Sequence, residues 1–357
     1  MVQDPARTGG SVQHGRIAWI DVAKGIAMLL VFYGHLPGSG DNPWFPDLMT
    51  SRSVVYLFHM PLFFVLSGIT FHPSKGFRQF AGSRLRRLIV PYYFFSLYAL
   101  MKIVLKVVAP AIFASFHGEA MGSWRSELLN IVLGNSIGLW FFWALFWGDL
   151  VLWLLAKFPK AVQGAFCLLC LLAWPFVPVS HVELPFQLWG VFEAVAFTGL
   201  GWLLSGTLEK ESRMASSVFL IISMAVFAVS ACIALSPSHN PIKVYVVKLF
   251  AAVSGSLMIV FLAKGLIQSN SLLQYIGRDT LIFYGLNGLS LAVSKGVFFR
   301  IVPVSFVRSN VWSQLLAGMI VLCLACLLCA ALKPLIHRYC WWAIGSTNPV
   351  KKTVSNN

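Results

Sequence analysis

The 357-residue chain is 58% hydrophobic and only 11% charged, whereas soluble domains carry about 25% charged residues. A soluble protein of this composition would expose large apolar patches, so a soluble class is excluded. The net charge of +15 does not indicate nucleic-acid binding, because Lys and Arg are scattered between apolar runs and no nucleic-acid motif occurs.

The apolar residues form ten runs close to the length of about 20 residues that a transmembrane helix needs. They predict an all-α integral membrane protein, a bundle of about ten transmembrane helices. The predicted spans are 17–36, 54–71, 88–109, 137–155, 164–180, 185–205, 216–235, 244–267, 280–299 and 311–335. Lys102, Lys106 and Lys295 lie near span ends, where long side chains can snorkel to the interface.

The domain organisation follows from these spans. Residues 16–338 are predicted to form one membrane domain between two tails, 1–15 and 339–357. An even number of spans puts both tails on one side, and the excess of Lys and Arg there identifies the cytoplasm. The first run continues into polar motifs, so it is interpreted as a retained span rather than a cleaved signal. We expect a multi-pass protein of the inner (cytoplasmic) membrane.

The first span carries three ionisable residues, Asp21, Lys24 and His35. Lys24 and His35 are 11 steps apart, which leaves an offset of about 20° and a rise of about 16 Å on an α-helix. Such groups are costly inside a membrane and therefore indicate function. The alternatives are an Asp21–Lys24 salt bridge that only holds the bundle, and an interfacial position for His35.

The second span contains His59, Pro61, Ser67 and Gly68. His59 is placed in the same half of the membrane as His35 and is predicted to approach it, although an ordinary interhelical hydrogen bond is the alternative. Pro61 is expected to kink the helix. Ser67 is a candidate for a pore or acceptor contact. Asp149, Glu193 and Asn287 in later spans are candidates for such contacts too, with a satisfied helix contact as the alternative.

Residues 73–87 read PSKGFRQFAGSRLRR and alternate apolar with basic residues. This pattern predicts a short helix on the membrane surface. Seven cysteines include CxxC spacings at 167–170 and 323–329. They lie in apolar runs, which favours small buried side chains over thiolate ligands. No metal site is predicted.

Five blocks resemble the membrane-bound acyltransferase family 3, especially its fucose 4-O-acetylase-like and exopolysaccharide O-acetyltransferase branch. The first three are specific in their order and spacing: Ile20–Ile26 with Gly34–His35, Phe58–Gly68, and Arg84–Pro91 with its RxxR. Residues 139–146 and 275–284 match less strongly. One departure is Asn287, near which many relatives carry a histidine, so no role of that histidine is transferred.

The resemblance implies an O-acyltransferase that moves an acyl group, expected to be acetyl, from cytoplasmic acyl-CoA to a hydroxyl of a saccharide or lipid-linked glycan. Acetyl-CoA would be a substrate, with no tightly bound cofactor, and other polysaccharide-assembly proteins are conceivable partners. His35 is the expected general base, with Asp21, Lys24 and His59 assisting. Guanidinium groups bind phosphates well; the expected CoA ligands are Arg84 and Arg87, with Lys75 and Arg86. Anchoring to anionic lipids is the alternative for these arginines.

A transporter or flippase for a lipid-linked glycan is the competing function, because intramembrane charges and ten spans suit it. It does not account for the RxxR after the second span. A glycan polymerase is a weaker option, since the predicted loop at 110–136 is modest in length.

Overall fold

The computed structural model describes residues 17–38, 43–73, 76–110, 123–136, 138–176, 184–210, 212–236 and 240–346. All regular structure within these ranges is helical. The helices are α1 (Ala18–His35), α2 (Met49–Tyr56), α3 (His59–Ile69), α4 (Phe77–Arg84), α5 (Val90–Val108), α6 (Trp124–Val132), α7 (Trp140–Leu155), α8 (Lys160–Ala173), α9 (Gly190–Lys210), α10 (Arg213–Leu235), α11 (Pro241–Gly265), α12 (Ser271–Arg278), α13 (Thr280–Ile301), α14 (Val304–Val307) and α15 (Val311–Tyr339).

Each of the ten predicted spans overlaps helix within the described residues, which confirms the all-helical class. In the described part of the chain, seven helical segments are long and apolar enough to cross a membrane: Pro46–Ile69, Phe77–Val108, Pro185–Leu208, Arg213–Leu235, Lys243–Gly265, Thr280–Ile301 and Val311–Tyr339. Trp140–Leu155 and Lys160–Phe176 are apolar but shorter. Helix α1 is outside this set because its ionisable residues lower its hydropathy. The count of ten crossings therefore stays a prediction.

The second span is broken between α2 and α3, at Leu57 and Phe58. Pro61 has no N–H to donate to the carbonyl of Leu57 four residues earlier, and its ring crowds that carbonyl. The predicted distortion at Pro61 is therefore confirmed, and it takes the form of an interruption one turn before the proline. His59 is the first residue of the helix that restarts there.

The segment 73–87 forms a helix from Phe77, but this helix differs from the predicted separate surface helix. It continues through a π-helical segment, Leu85–Ile89, directly into α5. Phe80 is buried, and its ring contacts Phe71 and Trp153 at centroid distances of 5.8 and 6.3 Å. The Phe80 side chain therefore packs against the bundle, where the predicted surface helix would have turned it toward lipid.

Part of the predicted C-terminal tail is folded. The short 3₁₀-helix Trp341–Ile344 packs against the π-helical segment, and Ala343 is buried. Gly345 has a φ of +64°, and a Cβ there would come within 2.9 Å of the Arg86 carbonyl oxygen. A glycine is needed for this turn. Residues 1–15 and 347–357 of the predicted tails lie outside the described residues.

Close helix packing at glycines fixes the centre of the bundle. A Cβ on Gly68 would overlap the Thr198 carbonyl, and one on Gly201 would overlap the Val65 carbonyl. Helices α3 and α9 therefore touch backbone to backbone from both sides, as small residues permit in membrane helices. This contact holds α3, and with it the start of that helix at His59.

Helix α1 is packed against α12 in the same way. A Cβ on Gly25 would overlap the Leu273 carbonyl, and one on Gly277 would overlap the Asp21 carbonyl. The contact joins the first sequence block to the weaker one at 275–284. It also places Arg278 next to Asp21, with a distance of 3.5 Å between Nε and the carboxylate.

The cysteines are free thiols. Cys167, Cys170 and Cys329 are buried as predicted, whereas Cys323 is exposed on α15. The difference arises because α15 buries only one face against its neighbours. Among the described residues, no group of three or more His, Cys, Asp or Glu side chains is arranged to hold a metal ion.

Candidate active site

One end of the bundle brings two histidines together around a tyrosine. The ring of Tyr56 lies with its centroid 6.2 Å from that of His35 and 4.7 Å from that of His59. The guanidinium carbon of Arg52 is 4.3 Å from the Tyr56 ring centroid. His59 is buried and His35 is exposed. We call these four residues the histidine cluster, and the end of the bundle that holds them the His35 end.

Arg52 and Tyr56 were not among the candidate residues that the sequence suggested. Their spacing contained part of the signal, because positions 52 and 56 are four residues apart and such residues share one helix face. The turn at Leu57 and Phe58 then places His59 next to Tyr56. The close approach of Tyr56 to α1 requires Gly34, since a Cβ there would lie 2.8 Å from the tyrosine ring.

The two nitrogens of His59 have different surroundings. Nδ1 lies 3.1 Å from the Val55 carbonyl oxygen. A carbonyl only accepts hydrogen bonds, so Nδ1 is assigned as the N–H donor and Nε2 as the nitrogen with the free lone pair. An imidazole in this tautomer can accept a proton or a hydrogen bond at Nε2, which suits either a base or an orienting group.

Two cations from other helices hold the C-terminus of α1. Arg52 Nε donates to the Gly34 carbonyl at 2.9 Å, and Lys295 Nζ donates to the His35 carbonyl at 3.2 Å. The last carbonyls of a helix have no partner within it and carry partial negative charge. The expectation that Lys295 snorkels to the interface was wrong: its side chain is buried, with 8% exposed, because the end of α1 provides an acceptor inside the bundle.

Lys24 lies on the wall of a cavity of about 150 Å³ in the middle of the bundle. Ser67 and Thr280 also contribute to this wall, as do apolar and aromatic side chains: Met60, Phe63, Leu88, Phe141, Phe142, Leu145, Leu281 and Tyr284. The structure thus brings together Lys24 and Ser67, two of the predicted site residues. We call this space the Lys24 cavity.

An ion pair lies one turn beyond this cavity, on the side away from His35. Arg84 precedes the cavity residue Leu88 by four positions, and Asp149 follows Leu145 by four. Arg84 Nε is 3.0 Å from an Asp149 carboxylate oxygen, with 25% of the arginine side chain and 2% of the aspartate side chain exposed. We call this side of the bundle the Arg84 end.

Cationic side chains are frequent at the Arg84 end. Arg86 and Arg87 are exposed, and they lie against the C-terminal 3₁₀-helix at Gly345. Lys333 Nζ and His337 Nε2 contact the Asp279 carboxylate at 2.5 and 2.9 Å. Lys75, the remaining predicted CoA ligand, lies outside the described residues.

The face of α1 that carries Lys24 and His35 is not polar along its whole length. Between Lys24 and His35 the same face of the helix carries Met28 and Val31, both fully buried. The helical repeat places Lys24 and His35 on one face as predicted, but the residues between them are apolar. Polar groups at this level come instead from α13, which contains the buried residues Asn287, Ser290 and Ser294.

Glu193 lies on α9, outside the histidine cluster and the Lys24 cavity, and has its own partners. It interacts with Lys248 and accepts a hydrogen bond from Trp174. Lys248 also lies over the Trp174 ring at 5.2 Å. These contacts join α9, α11 and the end of α8, which is the arrangement of a satisfied helix contact.

These features define a helical membrane protein with an imidazole pair at one end, a guanidinium-rich opposite end and a cavity between them. The chain belongs to acyltransferase family 3: the model of its acyltransferase domain matches residues 17–332.

Two curated relatives are both named nodulation protein NolL. The one from Sinorhizobium fredii is 25% identical over 210 residues, which cover 56% of this chain and 52% of the relative. The one from Mesorhizobium japonicum is 29% identical over 151 residues, 39% of this chain and 36% of the relative. The matched regions thus span about half of the first relative and less of the second. No solved structure shows a significant match.

Proposed function

We propose that this chain is a membrane O-acyltransferase that transfers an acetyl group from acetyl-CoA to a saccharide hydroxyl. The observation that carries the proposal is the histidine cluster: an exposed imidazole and a buried one both lie next to the Tyr56 ring. It is supported by membership of the acyltransferase family. In this proposal the Arg84 end faces the cytoplasm and takes the donor, and the His35 end takes the acceptor.

The chemistry at the His35 end is acyl transfer between sulfur and oxygen. The acceptor oxygen bonds to the thioester carbonyl carbon, the carbon–sulfur bond breaks, and CoA leaves as its thiol. The proton passes from the hydroxyl to an imidazole nitrogen and then to the sulfur. His35, which is exposed, is the proposed base, and His59 orients it or the acceptor. Arg52 and Lys295 place positive charge where the carbonyl oxygen becomes negative.

The donor is proposed to enter at the Arg84 end. The exposed guanidinium groups of Arg86 and Arg87 are suited to forked hydrogen bonds with the phosphates of CoA. The pantetheine arm then extends past the Arg84–Asp149 pair into the Lys24 cavity. From Lys24 to His35 the rise along α1 is about 16 Å, and the arm would carry the thioester over that distance.

The topology that this route needs is ten crossings with both tails in the cytoplasm of the inner membrane. Single cysteines at Ser51, near the His35 end, and at Arg78, near the Arg84 end, test it in a chain freed of its own exposed cysteines. A membrane-impermeant thiol reagent added outside intact cells should label position 51 alone. Labelling of both positions from one side would contradict transfer across the bilayer.

The enzymatic proposal is tested with purified full-length protein in vesicles, given acetyl-CoA labelled in the acetyl group and a surface glycan extract as acceptor. We expect label in the glycan in an alkali-labile ester and free CoA thiol in equal amount. Mass spectrometry of the glycan then identifies the sugar and the position. Glycan translocation without loss of acetyl-CoA would instead favour the flippase function.

Lys295→Met keeps the length of the side chain and removes its charge and its hydrogen bond to the His35 carbonyl. Because a hydrogen bond from a charged group contributes about 1.5–3 kcal/mol, we expect kcat to fall about tenfold or more. The KM for acetyl-CoA should not change, since Lys295 lies at the opposite end from the proposed phosphate ligands. Steady-state kinetics with labelled donor measures both constants.

Two further variants separate positioning of His35 from a general loss of charge. Lys295→Arg retains a cationic donor and should recover a large part of kcat. Arg300→Gln removes an exposed charge from the same helix and should leave both constants unchanged. A normal kcat in Lys295→Met would show that the contact with α1 has no part in the reaction.

A further inference from the structure

Asn287 is a buried polar residue with an unused hydrogen-bond donor. Its side chain is 5% exposed, and the Nδ2 amide nitrogen has no hydrogen-bond partner among the described residues. A buried donor without a partner costs about 1–3 kcal/mol. Such groups are rare in folded proteins, and each calls for an explanation. An acceptor that arrives with a ligand is one.

The position of Asn287 follows from two contacts between α1 and α13. Near their first turns, Lys24 and Tyr284 line the same cavity. Eleven residues further along each helix, Lys295 Nζ contacts the His35 carbonyl at 3.2 Å. The two helices therefore run side by side in the same direction from the Lys24 cavity to the histidine cluster.

Asn287 is located between these two contacts. It is seven residues after Thr280, which returns to within about 20° of the same helix direction and rises by about 10 Å. Thr280 and Tyr284 both face the cavity. Asn287 thus continues the cavity-facing side of α13 at the level where α1 has only the apolar side chains of Met28 and Val31.

A ligand that extends from the cavity to His35 would find few polar groups to bind at the level of Met28 and Val31. The pantetheine arm of CoA contains two amide groups, and a buried amide carbonyl needs a donor. Asn287 Nδ2 on α13 supplies one at a level where α1 has none. We infer that Asn287 binds an amide carbonyl of the pantetheine arm, an inference that rests on the proposed acyl-CoA donor.

The test compares wild-type protein with Asn287→Leu, which has similar volume and lacks the amide. Binding of acetyl-CoA, of CoA and of adenosine 3′,5′-bisphosphate, which has no pantetheine arm, is measured calorimetrically with the full chain. We expect the affinity for acetyl-CoA and for CoA to fall about tenfold, and that for the bisphosphate to stay at its wild-type level. Ser290→Ala is the control, because Ser290 donates to the backbone carbonyl of Asn287 and its removal leaves Nδ2 in place.

The thermal stability of the donor-free protein provides an independent measurement. Removal of a buried N–H donor that has no partner should leave Asn287→Leu at least as stable as wild type. Saturating acetyl-CoA should raise the melting temperature of this variant by less than it raises that of wild type. A drop in stability without donor would give Asn287 a structural role and overturn the inference. Unchanged affinity for CoA would also overturn the inference. A loss of affinity confined to acetyl-CoA would overturn it as well, because that result would point to a contact with the thioester carbonyl. If wild type binds neither acetyl-CoA nor CoA, the proposed donor itself is wrong.

Discussion

Replacing His35 with alanine should reduce acetyl transfer by about 10²- to 10⁴-fold, the range that a positioned general base contributes. The loss should appear in kcat, because the proposed phosphate ligands of the donor lie at the Arg84 end. His35 is exposed, and substitutions at exposed positions change stability by about 0.5 kcal/mol or less. Insertion and yield should therefore be normal. The measurement is transfer of labelled acetyl from acetyl-CoA to the glycan.

His72→Ala is the matched control, since His72 is another exposed histidine and follows α3 at its end remote from His59. It should retain full activity. His59→Ala should also lower kcat, but His59 is buried against Val55 and Tyr56, so its melting temperature has to be compared with wild type before the loss is assigned to chemistry. Wild-type transfer by His35→Ala would remove His35 from the proton path and leave His59 as the candidate.

The sequence predicts those parts of the structure that depend on local periodicity. Apolar runs locate the helices, because hydropathy is a property of each segment by itself. The 11-residue spacing of Lys24 and His35 gives their common face, and Pro61 gives the break in the second span. The approach of His59 to His35 also follows, since two adjacent spans place them in the same half of the bundle.

Contacts between distant segments are beyond this kind of prediction. The Lys295–His35 hydrogen bond joins residues 260 positions apart, and the Arg84–Asp149 pair depends on how α4 and α7 pack. An arginine next to a membrane segment can bind phosphate, lipid or a buried carboxylate, and only packing decides among these. The apolar residues Met28 and Val31 can be read from the spacing on α1, but the placement of Asn287 at their level depends on how α13 packs against α1.

The Arg84–Asp149 pair changes what the RxxR motif is expected to do. Asp149 is almost fully buried, with 2% of its side chain exposed, so removal of its partner leaves a buried charge uncompensated. Breaking such a pair from one side costs about 3–5 kcal/mol. Arg84→Met should therefore destabilise the protein by about that amount, as measured by thermal or denaturant unfolding in detergent. Arg87→Met, at an exposed position, should leave stability unchanged.

The double variant Arg84→Met with Asp149→Leu distinguishes a structural pair from a donor ligand. Removal of both charges eliminates the uncompensated carboxylate, and buried ion pairs replaced by apolar residues are often neutral in stability. Stability should return to near the wild-type value.

Donor binding then separates two roles of Arg84. If Arg84 only neutralises Asp149, the double variant also binds acetyl-CoA like wild type, and Arg87→Met alone weakens acetyl-CoA binding. If the double variant is stable but has lost donor affinity, Arg84 leaves Asp149 to bind phosphate when CoA arrives, and the pair is a latch at the entrance to the Lys24 cavity. An Arg84→Met protein as stable as wild type would contradict both versions, because the Asp149 carboxylate would then have to be compensated by another group or neutralised by protonation.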